Sequence, residues 1–428
     1  MKKYIIMGQI SGIGGWQLYI DARTTYLTDN GIKVYILSIS DEKKYKILLK
    51  SFQKCNKYCI PEIHLPPCTY TRNQKDRIIS KMLKFIDYNE KDEIFIESTD
   101  IPLSMWGEIL AEKTQGVNFS YLLHSHIENI STEVQRFFEF KYRQNLLAGM
   151  SELTLPDLFK NYMDIPEENT RRILAVPKDP LCDENDLSDV TFEVEKFKER
   201  GGKIIAYFGN LTKPHFVKVC KAISKYVKCH QEEKFLFLSV GSSAMGKAEK
   251  LQKKIEKLTP NCIVKNIPAC YPIPKKIFQI MDVCIASWGC ADNAARAKAL
   301  TIRLMDDVSI TPQGIMGVTL KGIEYFSAPP SDKNIYEILD EILYENKYSK
   351  DDIEFLRDVR DYTKYEIEQD KIMQPFKNKE RQKQYYNIES IKYINRRAQI
   401  ERIMNQCLGV KITQKIIEIV KSVLVRNS

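Results

Sequence analysis

Short apolar runs alternate with amphipathic stretches from the first residues of the chain. Residues 4–7 form one such run, 8–15 a glycine-rich break, and 16–30 a stretch with Leu18, Ala22, Tyr26 and Leu27 at helical spacing. Gly31 stands where the glycine that ends a helix belongs. Residues 33–39 are almost continuously apolar, which suits a parallel strand covered on both faces. Strand-like runs recur at 93–96, 119–123 and 172–177, with helical stretches between them. Residues 178–202 break the rhythm: they are acidic and at most helical, so a domain junction is expected there. A second series then begins, with strands at 203–208, 234–240, 262–265, 283–286 and 317–320 and helices at 216–228 and 249–258. Beyond residue 332 the pattern is helical, at 335–344 and 351–373, with Pro375 expected to break the second of these. The stretch 411–425 gathers Ile412, Ile416, Ile419, Val420, Val423 and Leu424 as an apolar face.

Alternating strands and helices predict an α/β fold with parallel sheets. With 428 residues, more than one core is expected. The predicted organisation is an N-terminal nucleotide-fold domain over 1–180, a second over 203–345, and a helical region over 346–428.

Composition narrows the function classes. No apolar run reaches the roughly 18 residues that a membrane-spanning helix needs. The N-terminal run breaks at Gly8-Gln9, which argues for a first strand and against a signal peptide and predicts a cytoplasmic chain. Eleven cysteines, an odd number with no Cys-x2-Cys pair, read as reduced thiols; no metal site is expected. The net charge is +9, and residues 371–428 alone carry that +9, so the rest of the chain is neutral. A basic segment with an amphipathic stretch suits the inner face of an anionic membrane, or a solvated helical face that packs on the body. Nucleic acid is not an expected partner.

Four segments carry candidate chemistry. The loop Gly8-Gln9-Ile10-Ser11-Gly12-Ile13-Gly14-Gly15 lies between a strand and a helix, where glycines bring the backbone close to an anion. Gln17 occupies the place of the third glycine of a dinucleotide fingerprint, which disfavours an NAD site. His124 and His126 follow a strand and are able to hydrogen-bond a sugar or phosphate, or are plain polar loop residues. Asn210 and Lys213 follow the first strand of the second series, and Gly241-Ser242 follow its second. A cation such as Lys213 steadies a diphosphate leaving group as charge builds on it. Asp292 and Asn293 follow the strand at 283–286, either as ligand-binding residues or as polar residues near a helix start.

In order and placement these segments resemble family 4 glycosyltransferases. The resemblance rests on Gly14-Gly15-Trp16-Gln17 with Asn30-Gly31-Ile32-Lys33-Val34, on Leu122-Leu123-His124-Ser125-His126, on Gly209-Asn210-Leu211-Thr212-Lys213, and on Met281-Asp282-Val283 through Ser287. It covers about residues 4–345. It implies a GT-B fold, two Rossmann-like domains facing a cleft with C-terminal helices. It also implies a retaining, metal-independent transfer of a sugar from a nucleotide-diphosphate sugar, with no cofactor, to a saccharide acceptor of the bacterial cell surface, lipid-linked in this reading. By the resemblance, His126, His124 and Asp292 are the catalytic candidates. Gly14, Gly15, Asn210, Lys213, Gly241, Ser242 and Asn293 hold the donor, and Gln17 lies on the acceptor side. The chain departs from the family at two points. Asn210 stands where an arginine is usual, and the family's spaced pair of glutamates is absent: residues 280–322 contain only Asp282, Asp292, Asp306 and Asp307 as acids. A catalytically inactive binding or scaffold subunit on the same fold is the competing expectation.

Overall fold

The computed structural model describes residues 1–39, 49–53, 55–123, 130–173, 180–183, 188–211, 214–241, 253, 255–256, 259–305, 309–322, 328–356, 365–377, 384–392 and single positions between 400 and 416. The chain folds as two compact units, Met1–Lys178 with Tyr362–Ser428, and Asp179–Asp361.

In the first unit the chain runs β1 (Lys2–Gly8), α1 (Gly15–Asp29), β2 (Val34–Ser38), β3 (Asn56–Cys59), α2 (Arg72–Phe85), β4 (Glu93–Ser98), α3 (Ile101–Thr114), β5 (Val117–Leu122), α4 (Thr132–Arg143), β6 (Leu147–Gly149) and α5 (Thr154–Phe159). The strands form one sheet in the order β3-β2-β1-β4-β5-β6, parallel at every pairing. Local chemistry sets the helix ends. Thr71 and Gln74 close a reciprocal capping box at the start of α2. At the end of α1, Gly31 takes φ +71°, and Gly31 N–H and Ile32 N–H reach Thr28 O and Leu27 O at 2.9 Å each. That is the glycine stop read from the sequence.

The second unit contains β7 (Leu181–Cys182), α6 (Ser188–Glu199), β8 (Lys203–Phe208), α7 (Pro214–Cys229), β9 (Phe235–Gly241), β10 (Cys262–Pro268), β11 (Ile273–Pro274), α8 (Lys275–Ile280), β12 (Val283–Ala286), α9 (Trp288–Arg296), β13 (Thr301–Leu304), β14 (Pro312–Ile315) and α10 (Ile335–Leu343). Its main sheet has the order β10-β9-β8-β12-β13-β14, parallel except for the β13–β14 edge. Alternation along β8 fills a core on each face. Ile205 and Tyr207 pack with α7 and α10 on one side, and Ile204, Ala206 and Phe208 with α8 and α9 on the other.

From Tyr362 the chain belongs to the first unit again. Helix α11 (Tyr365–Lys377) lies on the sheet face that carries Tyr4, Phe95 and Phe119. The Phe376 ring meets those three rings at centroid distances of 5.4, 5.2 and 6.1 Å. Beneath it, Arg23 and Glu97 form an ion pair at 3.0 Å with both side chains fully buried. The hydroxyls of Tyr4 and Tyr19 donate to the Glu97 carboxylate, and Arg23 Nη1 donates to Gln369 Oε1 at 2.8 Å. The carboxylate raises the Arg23 pKa further despite the cost of burial, so the charge stays in place.

Three sequence expectations change. Residues 317–320 are a turn and not a strand: Gly317 has φ +75°, and Val318 and Thr319 N–H both bond Ile315 O. The edge strand is β14 before it, which runs antiparallel. Residues 350–352 make a single 3-10 turn, and the next described helix starts at Tyr365. That helix continues past Pro375 to Lys377. The proline sits in its last turn, where Phe376 is held by three rings. Around residues 172–177, Arg172 makes an isolated bridge to Gly149, and 174–177 lie outside the described residues.

Candidate functional site

In a parallel sheet flanked by helices, ligands bind at the carboxyl ends of the strands where the strand order reverses. Each unit has one such place. In the first it lies between β1 and β4, in the second between β8 and β12.

In the second unit, β8 ends at Phe208 level with Ala286 of β12. Gly209 follows with φ +155°, and Gly209 N–H bonds Val240 O at 3.0 Å. Gly241, at the end of β9, has φ +154°, and a Cβ there would lie 1.8 Å from Gly209 O. Both positions therefore demand glycine, and the two strand ends approach backbone to backbone. Asn210 stands exposed directly after this pair. On the other side of the reversal, Ser287 precedes α9 without a side-chain cap bond, and the first turn, Trp288-Gly289-Cys290, contains no acidic residue. Trp288 has φ +54°, a left-handed backbone held by a large side chain at the turn into the helix. The positive end of α9 therefore faces the reversal point, a geometry suited to an anion.

Asp292 and Asn293 follow in the next turn, and both are buried. The Asp292 carboxylate is 3% exposed and accepts a bond from Arg296 Nε at 3.2 Å, an i,i+4 pair inside α9. Arg296 in turn lies over the Phe355 ring at 5.9 Å. Asp292 is thereby tied into the helix it sits on.

In the first unit, Gly8 ends β1 where α1 comes closest. A Cβ on Gly8 would meet Ile20 Cδ1 at 2.4 Å and Trp16 Nε1 at 3.0 Å. Trp16 Nε1 donates to Thr99 Oγ1 at 2.6 Å, and Thr99 Oγ1 donates to Met7 O at 2.8 Å, which ties the loop to the end of β4. Gln17 is buried, and its Nε2 donates to Gln9 O at 3.3 Å, so this side chain braces the loop from within. Gly14 caps α1 in an extended conformation without a side-chain bond. At Gly15 an added Cβ would meet nothing within 4 Å, so the loop is open on that side.

Asp100, one residue beyond Thr99, is a polar group that sequence reading passed over. Its Oδ1 accepts from Leu103 N–H at 2.7 Å and caps α3. Burial pushes its carboxyl up to about 7, in spite of that bond. The sequence Asp100-Ile101-Pro102 reads as an ordinary helix start, and it is one. Only the parallel register, Ser98 level with Met7 of β1 and Ser120 of β5, places the carboxyl at the reversal point.

The structure thus gathers Asn210, Gly241 and the α9 residues Asp292 and Asn293 on the second unit, and Gly14, Gly15 and Gln17 on the first. His124, His126, Lys213 and Ser242 lie outside the described residues. Among the described residues there is no group of three or more metal-ligating side chains.

No family model matches the chain, and no curated protein matches it. Solved structures do. The chain is similar to a glycosyltransferase from Rickettsia africae, with 14% identity and a TM-score of 0.52 over 88% of this chain and 94% of that one. It is similar to HepE of Anabaena in complex with UDP and glucose, with 12% identity and a TM-score of 0.52 over 86% of this chain and 95% of that one. The fold is GT-B. Its two Rossmann-like domains correspond to the two sheets with paired reversal points, and at these identities the likeness concerns the fold alone.

Proposed function

We propose that the chain transfers a sugar from a nucleotide-diphosphate sugar to a saccharide acceptor. The observation that carries the reading is the mouth of the second sheet, where the Gly209–Gly241 pair brings two strand ends together and the start of α9 offers a positive helix end to a diphosphate. HepE, which shares the fold, was crystallised with UDP and glucose and supports the choice of a sugar nucleotide. In this reading Asn210, Lys213, Gly241, Ser242 and Asn293 meet the donor, Gly14 and Gly15 shape the phosphate end, Gln17 lies on the acceptor side, and His124 or His126 faces the sugar. The transfer proceeds with retention and without a metal. The acceptor is a growing surface polysaccharide of the capsule or exopolysaccharide type, carried on a lipid diphosphate at the cytoplasmic face of the membrane.

The Asp292–Arg296 pair favours a second reading. A carboxylate locked inside its own helix is poorly placed to act on a sugar, and a subunit that binds a nucleotide sugar without transferring it would keep the fold and lose the chemistry. Melting the full chain with UDP-, GDP- and CMP-linked nucleotides separates these outcomes. Binding at about 100 times Kd adds about 2.7 kcal/mol to stability, a readily measured shift. One nucleotide class is expected to raise Tm, and transfer of its sugar to an acceptor then distinguishes enzyme from binder. If no nucleotide raises Tm, the transferase reading is wrong.

A further inference from the structure

Helix α7 carries a charge pattern that the proposed donor site does not use. Its large apolar side chains, Phe216, Val219, Cys220, Ile223, Tyr226 and Val227, all turn into the core of the second unit. Its outward side carries Lys218, Lys221, Lys225 and Lys228; the last three are exposed and the first is partly buried. At about 100° per residue the four fall within an arc of about 80°, and they climb about 15 Å along the helix. No acid stands on α7 to balance them. Lysines three or four positions apart repel one another, so the row works against the helix that holds it. Among the described residues none of the four makes an ion pair, and the acids around them are engaged elsewhere. Glu233 pairs with Lys203 at 2.8 Å, Asp340 accepts from the Tyr226 hydroxyl at 2.7 Å, Glu337 caps the start of α10, and Glu341 pairs with Lys333 and Lys347. The surplus is local: residues 214–257 hold ten lysines and four glutamates, with no arginine and no aspartate, inside a stretch 1–370 that is neutral as a whole.

The make-up of the row points to its partner. Cations in a line suit a linear polyanion. Lysine is a point charge and lacks the planar fork with which arginine grips a phosphate in two places. The aromatic rings of α7 are buried, so nucleic-acid bases have nothing there to stack on. Its apolar side chains are buried as well, so it has nothing to insert into a bilayer interface. What fits is a chain of separated anionic groups met by charge alone. We propose that the row Lys218, Lys221, Lys225 and Lys228 binds a linear polysaccharide that bears carboxylates. The row begins about one turn from the mouth of the second sheet, so a chain lying on it is held beside that mouth without entering it. The choice of a polysaccharide rests on the sugar-transfer reading; the binding of a polyanion does not.

The test is binding of the full chain to polygalacturonate and to dextran at low salt. Polygalacturonate is expected to bind at least about tenfold better, and raising salt from about 50 to about 500 mM is expected to release it. The paired change Lys221→Glu and Lys225→Glu is expected to lower that binding about tenfold, because two exposed contacts become repulsions. Its melting curve is expected to stay that of wild type, since both side chains are already in water. The control pair Lys91→Glu and Lys113→Glu changes the net charge equally at exposed lysines of the first unit and is expected to bind as wild type. Three results overturn the proposal. One is no preference for polygalacturonate over dextran. Another is an equal loss in the two paired variants, which would make net charge the whole cause. The third is tighter binding of single-stranded DNA or of phosphatidylglycerol vesicles that the α7 variant loses, which would give the row to that partner. A missing nucleotide-induced Tm shift beside intact polygalacturonate binding would overturn the sugar-transfer reading alone.

Discussion

The two sheets reverse strand order at the same point, between the first strand and the neighbour on its other side, yet the two mouths are built from different materials. In the first unit the mouth is braced by side chains: Trp16 to Thr99, Thr99 to Met7, Gln17 to Gln9, with the buried Arg23–Glu97 pair behind them. In the second it is made of backbone, two glycines in contact and a helix start that no side chain caps. A braced mouth holds its shape and presents fixed groups, whereas a backbone mouth ends in a helix start whose first N–H groups take no side-chain cap. In the proposed reading the second mouth takes the phosphate-bearing ligand and the first orients the acceptor.

The largest expected effect tests the bracing. Arg23→Met leaves Glu97 buried without its cation, and loss of one partner of such a pair costs about 3–5 kcal/mol. Hydrogen exchange is expected to show that loss in the first unit, with amides of β8 and β9 little changed. A loss below about 1 kcal/mol would show that the network braces nothing.

The next effect compares glycines in the two mouths. Gly241→Ala forces a Cβ against Gly209 O at a backbone angle that only glycine adopts readily, and a cost of about 2–4 kcal/mol is expected together with loss of nucleotide-induced stabilisation. Gly15→Ala meets open space, and a change within about 0.5 kcal/mol is expected by thermal melting. Equal costs at the two sites would erase the distinction between them.

A pH-dependent effect is expected at Asp100. The folded carboxyl holds its proton up to about 7, against 3.8 for the free group, so the folded state binds more protons between these values. Stability from this group is complete below 3.8 and is lost as pH rises through about 7. Asparagine keeps an oxygen for the Leu103 N–H and cannot titrate. Asp100→Asn is therefore expected to melt higher than wild type above pH 7 and to match it below 3.8. A pH-independent difference would rule out titration of this carboxylate as its cause.

Much of the fold was legible because parallel strands buried on both faces leave continuous apolar runs, as at Lys203–Phe208 and Val34–Ser38. The edge strand β14 was not, because Pro312-Gln313-Gly314-Ile315 lacks any strand pattern and takes its strand form from tertiary pairing with β13. Helix α11 continues past Pro375 because Phe376 and Gln369 are fixed by residues more than 200 positions earlier, a tertiary cause invisible to local rules. The site was legible as loops and less so as contacts. Asp292 reads in the sequence as a ligand-binding residue or a polar residue near a helix start, and its pairing with Arg296 four residues on is seen only in the fold. Asp100 carries no signal in the sequence beyond that of an ordinary helix start, and only sheet register shows what it stands beside.

The return of the chain from Tyr362 to the first unit has a consequence in time. During synthesis the first sheet emerges long before Gln369 and Phe376, which complete its covered face. At about 5–20 residues per second, they leave the tunnel roughly 15–55 s after Glu97 does. Through that interval the nascent domain carries an ion pair with one side unroofed, while the second unit has its whole sequence by Asp361, before Gln369 and Phe376 are made, and is free to close first. The half of the protein that is made first is the half that finishes last.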